Sequence, residues 1–322
     1  MSLRVIFVGT PDFAVPSLRE IHGSEHAVSL VIAQPDRASG RGRKVLAPTV
    51  KVAAREFGLP VYQPDSINSP ESLEQLKKTK PDVMLVAAYG QKLSNEMLEL
   101  PRLGVFNLHA SLLPKYRGAA PITYAIWKGE TETGLTIFKI VEEMDAGDMA
   151  LKVSTPIGSQ ENAGELHDRL SEMGAELFVD FLDWLEAGNI KLVPQDSRQA
   201  SFAPSLKKEQ GEIDWQLRPE EVTRLVRAMT PWPGAYTFRR GRKGKPDRLT
   251  ILESESLAGS TEPETGTVVE VAGEYFTVAA AGGLVRIGRL VPAGTRAMTA
   301  AEYLRGHPME PGERLGPAEA VR

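Results

Sequence analysis

Apolar positions follow two rhythms along the first half of the chain. Short runs dominated by Val, Ile and Leu, at Leu3 to Val8, Val28 to Ala33, Val83 to Ala87 and Val105 to Leu108, have the pattern of strands buried on both faces. Between them, Pro16 to His22, Thr49 to Phe57, Pro70 to Thr79 and Lys92 to Leu98 carry apolar residues at helical spacing. Ser69 followed by Pro70 is a helix start, an N-cap with proline at the first helical position. Strands alternating with helices predict an α/β fold, a Rossmann-like doubly wound parallel sheet. Thr133 to Ile140 and Met149 to Thr155 predict an antiparallel extension of that sheet, its two strands joined by an acidic turn from Glu142 to Asp148. A long helix is expected from Ala163 to Glu186, opened by the capping pair Asn162 and Glu165 and stopped at Gly188.

From Lys191 to Gln210 the periodicity dissolves into Pro, Ser, Gln and Lys, the composition of an interdomain linker. Beyond it lie one helical segment, Pro219 to Met229, and five short strand segments at Ala235 to Arg239, Arg248 to Leu257, Thr267 to Val271, Phe276 to Ala280 and Leu284 to Leu290. A last helix near Thr299 to Arg305 opens with the Thr299 and Glu302 capping box. Such a set predicts a small OB-like β-barrel, a frequent nucleic-acid platform. The expected division is therefore residues 1–190, a linker over 191–210, and a second domain over 211–322, and 322 residues suffice for two cores.

Composition narrows the chemistry. With 42% hydrophobic and 25% charged residues the chain has globular proportions. No apolar run approaches the roughly 18 to 20 residues of a membrane span, and no signal-peptide pattern opens the chain, so a cytoplasmic protein with no membrane partner is expected. The absence of cysteine removes disulfides, thiolate catalysis and cysteine metal sites. The five histidines show no metal-ligand spacing, and no catalytic metal is expected. Charge is unevenly spread: 19 basic residues stand against 25 acidic ones up to residue 190, and 19 against 17 after it. Arg239, Arg240, Arg242, Lys243, Lys245 and Arg248 crowd one short stretch, which by itself reads equally as a solvated hairpin tip or a polyanion contact.

In doubly wound sheets ligands bind beyond the carboxyl ends of the strands. There the first loop, Gly9 to Phe13, lacks the G-x-G-x-x-G pattern, so no dinucleotide cofactor is expected. The loop from Gln34 to Ala47 is long and basic, with Arg37, Arg41, Arg43 and Lys44. The most informative run is Val105 to Pro121, VFNLHASLLPKYRGAAP, in which Asn107 and His109 share one face of a strand at its carboxyl end. An Asn-x-His pair suits either catalysis or a satisfied polar pair, and the acidic turn suits a solvated loop as well as a site.

Taken together, the run resembles the signature of the folate-dependent formyltransferases, with Ser111, Leu112, Leu113 and Pro114 at the SLLP positions and Arg117 to Pro121 continuing as in the tRNA-acting branch. The opening IFVGTPDFAVPSL, the loop QPDRASGRGRK, EEMDAGDM at Glu142 to Met149, and MTPWPGAY at Met229 to Tyr236 are similar to that branch as well. The resemblance implies Asn107, His109 and Asp145 as catalytic residues and a folate site bordered by Ser111, Leu112, Leu113, Pro114, Val86, Tyr89 and Gly90. It implies 10-formyltetrahydrofolate as formyl donor and methionyl initiator tRNA as acceptor. Phosphate contacts are expected from Arg37, Arg41, Arg43, Lys44, Arg239, Arg240, Arg242, Lys243 and Lys245. Protonated His109 and the Asn107 amide are the expected donors to the oxyanion. The rival expectations are the same chemistry on an amino sugar nucleotide and an RNA-binding protein without catalysis; two self-sufficient domains suit a monomer.

Overall fold

The computed structural model describes residues 2–39, 44–241, 244–259 and 262–321. The predicted phosphate contacts Arg41, Arg43, Arg242 and Lys243 lie outside the described residues. Contacts divide the chain into two units. The first comprises Met1–Pro121, Glu132–Pro156 and His167–Pro204; the second comprises Ile122–Thr131, Ile157–Leu166 and Ser205–Arg322.

The strands of the first unit are β1 (Arg4–Gly9), β2 (Ala27–Ile32), β3 (Arg37–Ser39), β4 (Lys44–Leu46), β5 (Val61–Tyr62), β6 (Val83–Ala87), β7 (Val105–His109), β8 (Glu132–Lys139) and β9 (Met149–Pro156). Its helices are α1 (Val15–Gly23), α2 (Thr49–Glu56), α3 (Pro70–Thr79) and α4 (Asn95–Leu98); α5 (Pro121–Lys128) and the start of α6 (Ala163–Glu186) fall to the second unit. Seven strands form one sheet in the order β5-β2-β1-β6-β7-β8-β9. It is parallel as far as β7, and then β8 and β9 run antiparallel. From β1 the chain builds outward to β2 and β5 on one side and then to β6 and β7 on the other, so the switch point that places ligand sites at the carboxyl ends lies between β1 and β6.

The apolar runs become strands because both sheet faces are covered. All five residues of β6 are buried, and Ile6, Val8, Ile32, Met84 and Val105 pack in one core with Ile67 and Leu76. Each such side chain contributes about 1.5–3 kcal/mol by leaving water. On β7, Phe106 packs against Phe181 of α6 with ring centroids 4.7 Å apart. Gly174 lets that helix close on the strand, since a Cβ there would lie 2.5 Å from Leu108 Cδ2. Ser69 caps α3 by accepting from the Ser72 amide at 3.1 Å. The helix expected from Lys92 begins only at Asn95, because Ser94 takes the cap position and its amide is held by Asn68 at 2.8 Å.

The second unit contains α7 (Pro219–Met229), β10 (Ala235–Arg240), β11 (Pro246–Leu257), β12 (Val268–Val271), β13 (Phe276–Ala280), β14 (Gly283–Pro292), β15 (Met298–Thr299), α8 (Ala300–Gly306) and β16 (Leu315–Gly316). The antiparallel sheet runs β12-β13-β14-β11-β10-β16, with β15 on β14. It curls until its edges meet: the Val268 amide donates to Glu313 O at 2.8 Å, Gly312 donates to Val268 O at 2.8 Å, and Leu315 donates to Gly266 O at 2.7 Å. Closure removes the free edges of β12 and β16 and encloses a core of Val222, Val226, Ile251, Phe276, Ile287 and Tyr303. The Thr299 and Glu302 capping box opens α8 as expected.

Candidate active site

Strand β7 ends in the middle of the sheet, and Asn107 and His109 leave it on one face. His109 is 5% exposed and Asn107 half-buried, with Val86 beside it in register on β6. The Asn107 amide has no hydrogen-bond partner among the described residues, so its donors stay free for a ligand. His109 Nε2 lies 2.9 Å from the Tyr116 carbonyl oxygen. A carbonyl only accepts, so Nε2 carries the proton. Nδ1 faces Asp145 Oδ2 at 3.7 Å, beyond a direct hydrogen bond. Complete burial pushes the imidazole below its ordinary value, opposed by the Asp145 carboxylate and the Tyr116 carbonyl. Burial thus favours the neutral imidazole, with its lone pair on Nδ1, over the protonated form expected from the sequence. Burial far from bulk water outweighs one carboxylate at 3.7 Å.

Asp145 reaches this position from the acidic turn between β8 and β9. Its backbone is left-handed, φ 51°, a conformation costing about 1–2 kcal/mol for a residue with a Cβ. Its Oδ2 accepts from the Gly118 amide at 2.8 Å. Gly118 itself has φ 120° and would set a Cβ 2.7 Å from Ala203 O, so glycine alone fits there. Residues sequence reasoning did not single out hold this arrangement. Arg117, only 3% exposed, donates from Nε and Nη2 to Gln195 Oε1 at 3.1 and 2.9 Å and from Nη1 to Glu143 at 3.3 Å. Its amide donates to Ser201 O at 2.8 Å and its carbonyl accepts from Ala203 N at 2.8 Å. Residues 195 to 203, which read as linker, therefore belong to the first unit, with a 3-10 turn at Ser197–Gln199. Half-buried polar side chains such as Gln195 and Ser201, aligned without periodicity, leave no pattern to find.

The turn after β7 is fastened from beneath. Thr136 donates to Ser111 O at 2.7 Å and accepts from Leu113 N at 3.1 Å, Ser111 donates to Lys115 O at 2.6 Å, and Lys152 Nζ donates to Leu113 O at 2.5 Å. Burial pulls the Lys152 ammonium below the usual lysine range. Of the predicted folate-site residues, Leu113 and Ser111 are fully buried, Leu112 and Pro114 are partly open, and Gly90 is exposed. Val86 and Tyr89 turn their side chains into the core with Ile6 and Val8. Burial raises the Tyr89 phenol to about 12, and its hydroxyl has no partner among the described residues.

The predicted phosphate contacts divide. Arg37, exposed, stands on the β3–β4 hairpin and donates to Gln34 at 3.1 Å; Lys44 opens β4. Arg240 and Lys245 are exposed in the second unit. Arg239 faces the other way. Its guanidinium, 12% exposed, pairs with Glu313 at 2.9 Å and donates to the Tyr303 hydroxyl at 3.1 Å and to Pro308 O at 3.2 Å. Among the described residues no group of three His, Asp or Glu side chains is disposed to hold a metal ion, and no helix is long and apolar enough to cross a membrane.

Two family models account for most of the sequence. Residues 2–182 match the formyl transferase model, and residues 205–308 match the formyl transferase C-terminal domain. The chain belongs to the formyl transferase family. Relatives at high identity span this family chain end to end. The methionyl-tRNA formyltransferase of Geobacter sulfurreducens is 44% identical over 99% of this chain and 98% of its own length, and that of Moorella thermoacetica is 45% identical over 98% and 99%. Solved structures share the fold at lower identity. An N-formyltransferase from Helicobacter canadensis, in complex with folinic acid and dTDP-3-aminofucose, aligns with a TM-score of 0.66 at 19% identity, covering 90% of this chain and all of the other. HypX from Aquifex aeolicus in complex with tetrahydrofolic acid aligns at 0.62 and 20% identity over 94% of this chain and 47% of that protein.

Proposed function

We propose that this protein transfers the formyl group of 10-formyltetrahydrofolate to the α-amino group of methionyl initiator tRNA. The observation that carries this reading is end-to-end identity of 44–45% to relatives named for that reaction, over both units. The site supplies a matching chemistry. The neutral amine attacks the formyl carbon and forms a carbon–nitrogen bond, and negative charge moves to the formyl oxygen. The Asn107 amide, without a partner among the described residues, donates to that oxygen. His109 Nδ1 takes the proton that the amine sheds, and the imidazolium so formed is paired by Asp145. Collapse breaks the bond from carbon to N10 of the folate, which receives the proton from His109. The products are the N-formylated ester and tetrahydrofolate.

The folate occupies the mouth formed by Leu112, Pro114 and the backbone from Val86 to Gly90, with Ser111, Leu113 and Tyr89 supporting it from within. Arg37, Arg41, Arg43 and Lys44, together with Arg240, Arg242, Lys243 and Lys245, contact tRNA phosphates, which orient the acceptor without reading its sequence. The reading is tested by following formyl transfer to methionyl initiator tRNA, an amino sugar nucleotide and free methionine, with the wild type and Asn107→Ala. Transfer to the tRNA alone is expected, with turnover lowered about 10²–10³-fold in Asn107→Ala as one oxyanion donor is lost. Transfer to the sugar nucleotide, or undiminished turnover of the variant, refutes it.

A further inference from the structure

We propose that Gln195 is a positioning residue for formyl transfer, holding Asp145 in its left-handed conformation so that the carboxylate faces His109. The proposal rests on the assignment of Asp145 to the reaction. Gln195 Nε2 donates to Asp145 O at 2.7 Å and to Gly147 O at 2.8 Å, so one amide group gathers the turn from both sides of Ala146. Its orientation is dictated by its neighbours. Two carbonyls can only accept, and the Arg117 guanidinium, which fills Oε1 from two nitrogens, can only donate. Nε2 therefore spends both protons on the turn.

Among the described residues other bonds of the turn, Ala146 N to Glu143 O at 3.4 Å and Arg117 Nη1 to Glu143 at 3.3 Å, do not reach the Asp145 and Gly147 carbonyls. The turn has no regular secondary structure, and Asp145 sits at φ 51°, a conformation its own backbone disfavours. Gly147 closes onto the Lys139 carbonyl too tightly for any side chain. Beyond Gln195, the Asp145 carboxylate is held by the Gly118 amide, at 2.8 Å. Arg117 ties the two anchors together: its side chain orients Gln195, and the residue after it supplies the Gly118 amide.

Gln195→Glu is the discriminating variant, because a carboxylate keeps the partner of Arg117 and the size of the side chain but has no protons for the two carbonyls. Gln195→Met removes both sets of bonds at similar volume. Kinetics with 10-formyltetrahydrofolate and methionyl initiator tRNA are compared with Asp145→Asn and with Asp145→Asn/Gln195→Glu. Expected for Gln195→Glu are a kcat about 10–100-fold lower, a KM for the folate within about twofold of wild type, and an acidic limb of the pH profile displaced as in Asp145→Asn. The double variant is expected to be no slower than Asp145→Asn, and the Gly118 amide to exchange with deuterium faster in Gln195→Glu. Wild-type kcat in Gln195→Glu, additive losses in the double variant, or loss of the cooperative melt in both single variants at position 195 overturns the proposal. Wild-type turnover in Asp145→Asn would instead overturn the assignment of Asp145, a separate result.

Discussion

Arg239 and Arg240 are neighbours on β10 with opposite fates, and replacing each by alanine separates a structural arginine from one available to RNA. Successive residues of a strand point to opposite faces. Arg239 therefore meets Glu313, Tyr303 and the Pro308 carbonyl, while Arg240 meets solvent. A charge-assisted bond at 2.9 Å between groups 12% and 29% exposed is worth about 1.5–3 kcal/mol, and the two neutral acceptors add about 0.5–1 kcal/mol each. Glu313 keeps the Glu310 amide at 2.9 Å, so its carboxylate is not left wholly unpaired, and the net loss in Arg239→Ala is about 2.5–4 kcal/mol. For a unit of this size that lowers the melting transition by about 8–15 °C. Calorimetry reads the transition, and filter binding of methionyl initiator tRNA over a range of salt reads the phosphate contacts. Arg240→Ala should melt within about 0.5 kcal/mol of wild type and flatten the salt dependence by about one ion, with an affinity loss independent of sequence. An unchanged melt in Arg239→Ala together with a flattened salt slope would refute the assignment of its guanidinium to the barrel.

Three further outcomes follow from the site. In the proposed mechanism His109 acts as the neutral imidazole, and burial lowers its pKa from the ordinary 6.5, so turnover should hold at neutral pH and fall only as the pH drops through that lowered value. Asp145 raises the imidazole pKa, so Asp145→Asn should move the acidic limb to still lower pH while lowering the plateau; a limb displaced upward would contradict the pairing. Gly118→Ala should lower kcat by at least about tenfold, because φ 120° and the Ala203 carbonyl 2.7 Å away leave no place for a methyl group, and the amide that holds Asp145 must move. Wild-type kcat in that variant, measured by single-turnover formylation, would show that the Gly118 contact is dispensable.

The alternation of buried strands and helices determined the Rossmann-like sheet, its antiparallel extension and the barrel strands, because burial on both faces imposes continuous apolar runs and helices impose their own spacing. The motif around β7 likewise led to the carboxyl edge of the sheet, where a period of two puts Asn107 beside His109. Elements as short as β5, β15 and β16 and the β3–β4 hairpin left no such pattern, since a few residues carry too little periodicity to separate from loop, and α5, exposed only at Lys128, shows no polar face to set a helical spacing.

Three matters were settled only by the tertiary structure. The depth to which His109 is buried, which lowers its pKa against the pull of Asp145, is encoded in no local pattern. Arg239 and Arg240 look alike in the sequence, and only the strand's orientation against α8 and the segment before β16 tells them apart. The stretch from 191 to 210 has linker composition, yet its first part supports the acidic turn because Gln195, Ser201 and Ala203 find partners in residues 48 or more positions away. Local composition determines what a segment forms by itself; a polar side chain's role depends on the donors and acceptors that folding brings to it from elsewhere in the chain.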